Sequence, residues 1–133
     1  MNLKLFFKAP PIIEGLSQSA LGNSIKSLTD ASLEIEKMDM ALVGLTEDRG
    51  TQVNLGVSEG ANRIREKLYR LKKSNVQLKL ADLGNIQNGE NYEDTLARLK
   101  EVCEHLMAIK VLPIIIGGTH DLSMGQYQAY ESR

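Results

Sequence analysis

The stretch Leu112-Pro113-Ile114-Ile115-Ile116-Gly117-Gly118-Thr119-His120-Asp121-Leu122-Ser123-Met124-Gly125 decides the fold class of this chain. Pro113-Ile116 is a continuous apolar run of strand length, as expected of a strand covered on both faces, and its proline sits at the start, where a missing N–H is tolerated. The two glycines that follow let the backbone turn tightly. His120 is therefore expected at the carboxyl end of a sheet and at the start of a helix, where open α/β sheets take their ligands. An imidazole in that position has three uses: a metal ligand, a general acid or base, or a neighbour of an anion site formed by helix-start amides. The glycine pair lacks the Gly-x-Gly-x-x-Gly spacing and the Lys-Ser/Thr of a phosphate-binding loop.

Working outward, the same alternation of short apolar runs and helix-period stretches continues back to Met38, the signature of successive β-α units. A first strand is expected at Asp39-Leu45, again continuously apolar. A second, Val76-Asp82, alternates Val76, Leu78 and Leu80 with Gln77 and Lys79, which reads as an edge strand. Between them Ala61, Ile64, Leu68 and Leu71 predict a helix over Ser58-Lys73, with Ser58 as N-cap and the basic Arg70, Lys72 and Lys73 at its end. A second helix is expected over Tyr92-Lys110, capped by Asn91, with Leu96, Leu99, Val102, Cys103 and Leu106 inward. Right-handed crossovers give parallel strands in the order second, first, third, with a crevice near Thr46-Gly56 and Gly117-His120. Residues 1–37 are less regular, broken at Pro10-Pro11, with Ser24-Leu28 or Leu33-Met38 as possible helical pieces.

The 133 residues suit one α/β domain, and 16 Lys+Arg against 17 Asp+Glu leave no basic field for nucleic acid. A single cysteine, Cys103, rules out an internal disulfide, and two histidines are too few for a self-contained multi-histidine site. No apolar run approaches the roughly 18 residues needed to span a bilayer. Lysines interrupt the apolar residues of Met1-Lys8 too often for a secretory signal, so no membrane partner and a cytoplasmic location are expected. The apolar third strand would form a sheet edge, so a homo-oligomer or the remainder of a longer chain is expected to cover it.

The segment Pro113-Gly125 resembles the first metal-ligand motif of the arginase (ureohydrolase) family, whose commonest form reads Gly-Gly-Asp-His-Ser. Asp48-x-Gly50-x-x-x-Asn54-x-Gly56, followed by Gly60-Ala61-x-x-Ile64-Arg65, is similar to the glycine-rich segment after that family's first strand, in a spacing closest to formiminoglutamase. Asp82-x-Gly84-Asn85 falls where the family has an Asp-x-Gly turn. The resemblance implies a three-layer α/β/α fold with a parallel sheet, of which this chain supplies the first part. It also implies two Mn²⁺ ions at the strand ends, generating a hydroxide that attacks a guanidino or formimino carbon of a small amino-acid derivative. His120 matches a metal ligand. Asp121 either orients His120 through its other ring nitrogen or caps the helix that begins near Leu122. Glu47-Asp48-Arg49 reads as an exposed turn on residues alone; with the resemblance, Asp48, Arg49 and Asn54 become a substrate-side loop. Arg65 is expected to anchor its helix, His105 to be a surface or packing residue, and Cys103 a small core residue.

The chain departs from the family in lacking both the Asp-x-His-x-Asp and the later Asp-x-Asp motifs. It carries one expected metal donor and no catalytic residue of its own, so the isolated chain is expected to be inactive and not to bind the full metal pair. Two other readings stand beside this one: a non-catalytic α/β assembly module, and an anion- or nucleotide-binding domain built on Gly117-Gly118. Asp-x-His-x-Asp and Asp-x-Asp downstream of Arg133 would favour the hydrolase; tight nucleotide binding with no metal effect would favour the last.

Overall fold

The apolar run expected to be the first strand forms the middle of the sheet. In the computed structural model, which describes residues 2–49, 59–118 and 123–131 (the backbone alone at 123 and 124), five strands and three helices are seen among the described residues. The strands are β1 (Phe7–Lys8), β2 (Lys26–Ser27), β3 (Met40–Leu45), β4 (Leu80–Ile86) and β5 (Leu112–Gly117); the helices are α1 (Gly60–Leu68), α2 (Tyr92–Ala108) and α3 (Ser123–Glu131). β4, β3 and β5 lie side by side and parallel, the order expected for second, first and third strands. Among the described residues each crossover carries one helix, and the two helices fall on opposite faces. Ala41, Val43, Leu45, Ala81 and Leu83 form the main core with Leu99, Val102, Cys103 and Leu106 of α2 and Ala129 of α3. The other face of β3 and β4 meets α1, whose Arg65 reaches Asp82 and lies over Gly44.

The second strand differs from its expectation. It begins at Leu80, where the alternating stretch Val76–Lys79 ends, and all seven of its residues are buried. It is no free edge, because the N-terminal segment covers its outer side: β2 pairs in parallel at Lys26↔Ala81 and Ser27↔Asp82, and β1 antiparallel at Phe7↔Ile86 and Lys8↔Asn85. The three expected strands are parallel, as expected, and the N-terminal segment makes the sheet mixed by adding β1 as an antiparallel member. Gly84 permits the docking of β1. Its φ of 94° lies in the left-handed region, and an added Cβ would land on the Lys8 carbonyl oxygen. The remainder of the first 37 residues is held by short 3₁₀ turns at Leu3–Leu5, Leu21–Ser24 and Ile35–Lys37, in place of the helical pieces expected there.

The first helix is shorter than its periodicity suggests and turns a different face inward. Its N-cap is Glu59, with no side-chain cap bond, and Ser58 lies outside the described residues. The buried positions are Ala61, Arg65 and Tyr69, a four-residue stride, while Ile64 (43% exposed) and Leu71 (56% exposed) face outward. The bridge Ala20↔Lys72 and the bonds from Leu21 N to Leu71 O and Gly22 N to Tyr69 O fasten the N-terminal segment across the end of α1. The second helix follows its expectation: Asn91 Oδ1 accepts from Asp94 N at 2.9 Å, and Leu99, Val102, Cys103 and Leu106 are buried.

Candidate functional site

The carboxyl ends of β3, β4 and β5 lie on one rim of the sheet, and a network of hydrogen-bonded polar residues lies there among the described residues. Glu47, two residues past β3, is fully buried. Burial of a carboxylate is costly unless its oxygens are satisfied; here Arg49 Nε donates to Oε2 at 2.8 Å, Arg49 N to the same oxygen at 2.9 Å, and Thr95 Oγ1 to Oε1 at 2.8 Å. Arg49 continues across to the loop after β4, donating to Gly89 O at 2.9 Å and Glu90 O at 2.8 Å. The hydrogen bonds from Arg49 outweigh the burial and hold the Glu47 carboxyl down at about 2. This latch fixes the loop after β3 against the start of α2. The expectation of an exposed turn at Glu47 is corrected by its burial, and the guanidinium of Arg49 is engaged with Glu47 and the two carbonyls.

A second network lies beneath the rim on the α1 side. Arg65 is buried completely and forms a bidentate pair with Asp82, from Nε to Oδ2 at 2.8 Å and from Nη2 to Oδ1 at 3.0 Å. Tyr69 Oη donates to Asp82 Oδ2 at 2.5 Å and Gly84 N to Oδ1 at 3.0 Å, so the carboxylate is saturated. Burial, followed by the charge of Asp82, pushes the Tyr69 hydroxyl far above its ordinary range, so it remains a donor. Arg65 Nη1 also donates to Asn85 Oδ1 at 2.6 Å and Asn62 Oδ1 at 2.9 Å. Gly44 makes room for this, because a Cβ there would collide with Asn85 Oδ1 and the Arg65 guanidinium. Arg65 therefore anchors its helix, as expected, and Asp82 is the buried counter-charge of that anchor within β4.

Above these residues opens a cavity of about 620 Å³ lined by Lys8, Thr46, Asp48, Asn62, Asn85, Ile86, Gln87 and Asn88. It lies over the ends of β3 and β4, one strand away from the crevice expected between β3 and β5. Of the expected site residues, Asp48 lines it and Arg49 braces the adjoining loop; His120, Asp121 and Asn54 lie outside the described residues. β5 ends in two glycines at φ 78° and 74°, the tight turn read from the sequence, and an added Cβ on Gly117 would press on Leu45 O and Ala61. Among the described residues no group of three or more His, Cys, Asp or Glu is placed to hold a metal ion. His105 has its pKa lowered by partial burial on α2, and burial pushes the Cys103 thiol up to about 12, which suits a core residue and not a nucleophile. Lys8 and the buried state of Glu47 were not read from the sequence. Lys8 reaches the rim only through a strand pairing with a partner some 77 positions away, and no local pattern reports that. Arg65 left one signal, its place in the stride Ala61, Arg65, Tyr69.

No helix among the described residues is long and apolar enough to cross a membrane. A family profile described as the arginase family matches residues 38–133. The chain is 32% identical over 103 residues to the mitochondrial guanidino acid hydrolase of Rattus norvegicus, covering 71% of this chain and 29% of that protein. It is 28% identical over 112 residues to the formimidoylglutamase of Streptococcus gordonii, covering 80% and 34%. The crystal structure of Trypanosoma cruzi formiminoglutamase with Mn²⁺ superposes with a TM-score of 0.67 at 25% identity, over 74% of this chain and 37% of that one. The chain thus spans about a third of the length of the relatives it matches. The matched residues begin just before β3 and carry the loop of Asp48, the Arg65–Asp82 anchor and the twin-glycine exit of β5, and on that evidence the chain belongs to the arginase family.

Proposed function

We propose that this chain supplies the N-terminal third of a manganese-dependent ureohydrolase that cleaves a C–N bond in a formimino or guanidino amino-acid derivative, formiminoglutamate being the first substrate to try. The observation that supports the reading is the arrangement of the rim. β3, β4 and β5 are parallel and end on one side of the sheet, and Gly117 and Gly118, both left-handed, are separated from His120 in sequence by Thr119 alone. Nearby relatives named formimidoylglutamase and guanidino acid hydrolase support the substrate class. We assign His120 as a donor to one Mn²⁺, Asp121 as the partner of its other ring nitrogen, and Asp48 and Asn54 as substrate-side groups, with Arg49 holding that loop in shape. A bound pair of divalent cations would lower the pKa of water and so supply the nucleophile. The residues of this chain have other tasks: the Glu47–Arg49–Thr95 latch keeps the Asp48 loop over the strand ends, and the Arg65 anchor fixes Asn62 and Asn85 in the cavity floor.

This sequence holds one of the expected donors and neither Asp-x-His-x-Asp nor Asp-x-Asp. The 133-residue chain alone should therefore release no formamide or urea above the Mn²⁺ background. Its second partner is the segment or subunit that covers the outer edge of β5. The test is hydrolysis of formiminoglutamate with Mn²⁺ by the isolated chain and by the protein encoded by the continuous reading frame. Activity confined to a longer protein, and lost in His120→Ala, supports the proposal; robust turnover by the 133 residues overturns it.

A further inference from the structure

The amino ends of β3 and β4 lie opposite the rim described above, roughly 17 Å away by five rises along β3, and two cavities meet there. One, of about 250 Å³, is walled by Lys26, Lys37, Lys79, Ser24 and Ser32, with Glu34 as its one acidic residue among those described. The other, of about 490 Å³, is walled by Leu21, Leu71, Val76 and Leu78 together with Lys72 and Lys73. They share Ser24, Leu78 and Lys79, so they adjoin as one groove. Backbone bonds hold its walls. Lys79 O accepts from Asp39 N at 2.8 Å and Lys79 N donates to Asp39 Oδ2 at 2.8 Å, which ties that lysine to the start of β3. Lys26 is fixed in β2 opposite Ala81. The bridge Ala20↔Lys72 and the bond from Lys73 N to Ser19 O at 2.8 Å fasten the other two lysines.

Charge and apolar surface are divided between the two halves. Glu34 is paired with Lys37 at 2.7 Å, and among the described residues Lys26, Lys72, Lys73 and Lys79 have no acidic partner and no side-chain hydrogen bond. Leu71, Val76 and Leu78 are each more than half exposed, and every residue from Leu71 to Lys79 is exposed. Apolar side chains gathered in one place and rimmed by polar ones mark a binding surface. The described lining holds no aromatic ring on which a nucleobase could stack, and a bare phosphate would leave the apolar half unused. We propose that this groove binds a single-chain amphiphilic anion, a fatty carboxylate or alkyl phosphate, with its head at Lys26 and Lys79 and its tail against Leu71, Val76 and Leu78. The head gains charge-assisted bonds from ammonium groups that lack a counter-ion, and the tail removes aliphatic surface from water. The larger cavity falls within the about 300–1,000 Å³ of small-molecule sites. This groove stands at the opposite end of the sheet from the Asp48 loop, so it does not rest on the hydrolase reading.

The test is an amide-shift titration of the ¹⁵N-labelled 133-residue chain with octanoate, against butanoate, which keeps the head and shortens the tail, and 1-octanol, which keeps the tail and lacks the charge. Octanoate should bind about tenfold or more tighter than either, with shifts centred on Ser24, Leu78 and Lys79. Lys26→Met/Lys79→Met should erase its advantage over 1-octanol and keep that over butanoate, and Leu71→Ser/Leu78→Ser should do the reverse. Inorganic phosphate or butanoate binding as tightly as octanoate marks a bare anion site and overturns the proposal. So does octanoate binding no tighter than 1-octanol, no binding, shifts centred elsewhere, or ratios unchanged in both double variants. Adsorption of the chain to phosphatidylserine vesicles without binding of octanoate marks a bilayer-binding patch and overturns it as well. Hydrolytic activity enters none of these readouts, so this proposal and the hydrolase reading fail separately.

Discussion

At the scale of single residues, two buried carboxylates, Asp82 and Glu47, are satisfied in different ways. Asp82 and Arg65 are both fully buried, and each is the other's counter-ion. Removing one leaves a bare charge in the interior, so Asp82→Ala should cost about 3–5 kcal/mol in chemical denaturation, and the double variant Arg65→Met/Asp82→Leu should cost distinctly less. Glu47 works by a different balance, since its partner Arg49 is partly exposed while its own oxygens are buried. Its carboxyl titrates near 2 in the folded chain against an ordinary 4.5. A depressed folded pKa contributes stability that is complete above about pH 4.5 and is lost as the pH falls toward 2. Urea denaturation between pH 2 and 6 should show that slope, and Glu47→Gln should flatten it while lowering stability at neutral pH by about 1–3 kcal/mol.

At the scale of elements, β3, β5 and α2 were legible because one rule sufficed for each: continuous apolar residues for doubly covered strands, and a capped 3.6-residue stripe for the helix. β4 was misplaced because Asp82 and Asn85 interrupt its apolar run, and their burial becomes affordable only through Arg65, which lies in another element. The same pair obscured α1, whose inward stride holds an arginine where periodicity looks for a leucine or isoleucine. The latch at Glu47 and the arrival of Lys8 are long-range facts with no local signature. The rim cavity lies, among the described residues, over the ends of β3 and β4; much of the crevice expected between β3 and β5, near Thr46-Gly56 and Gly117-His120, falls outside the described residues. The N-terminal strand gives a prediction at this scale. Gly84→Ala must place a side chain at φ 94° and against Lys8 O, so β1 should undock. Amide exchange at Gln87, which donates to Phe6 O, should accelerate strongly while the α2 amides keep their protection.

At the scale of the whole molecule, the apolar face of the sheet is closed by α2 and α3, and the outer side of β4 is closed by β1 and β2, but β5 is paired only with β3 among the described residues. Its isoleucines remain half-buried. An unpaired, apolar strand edge is a template for further pairing, so the isolated chain should associate with itself as its concentration rises. Sedimentation velocity should show this, and Ile114→Lys should shift the chain toward monomer. The proposed function requires that this chain bring one imidazole, His120, to a manganese site completed by residues it does not hold. The most direct test is a Mn²⁺ titration of the ¹⁵N-labelled chain, read as paramagnetic loss of amide signals. Loss should centre on the end of β5, at Gly117 and Gly118, and disappear in His120→Ala. Signal loss centred elsewhere, or unchanged in His120→Ala, would contradict the proposed role of His120.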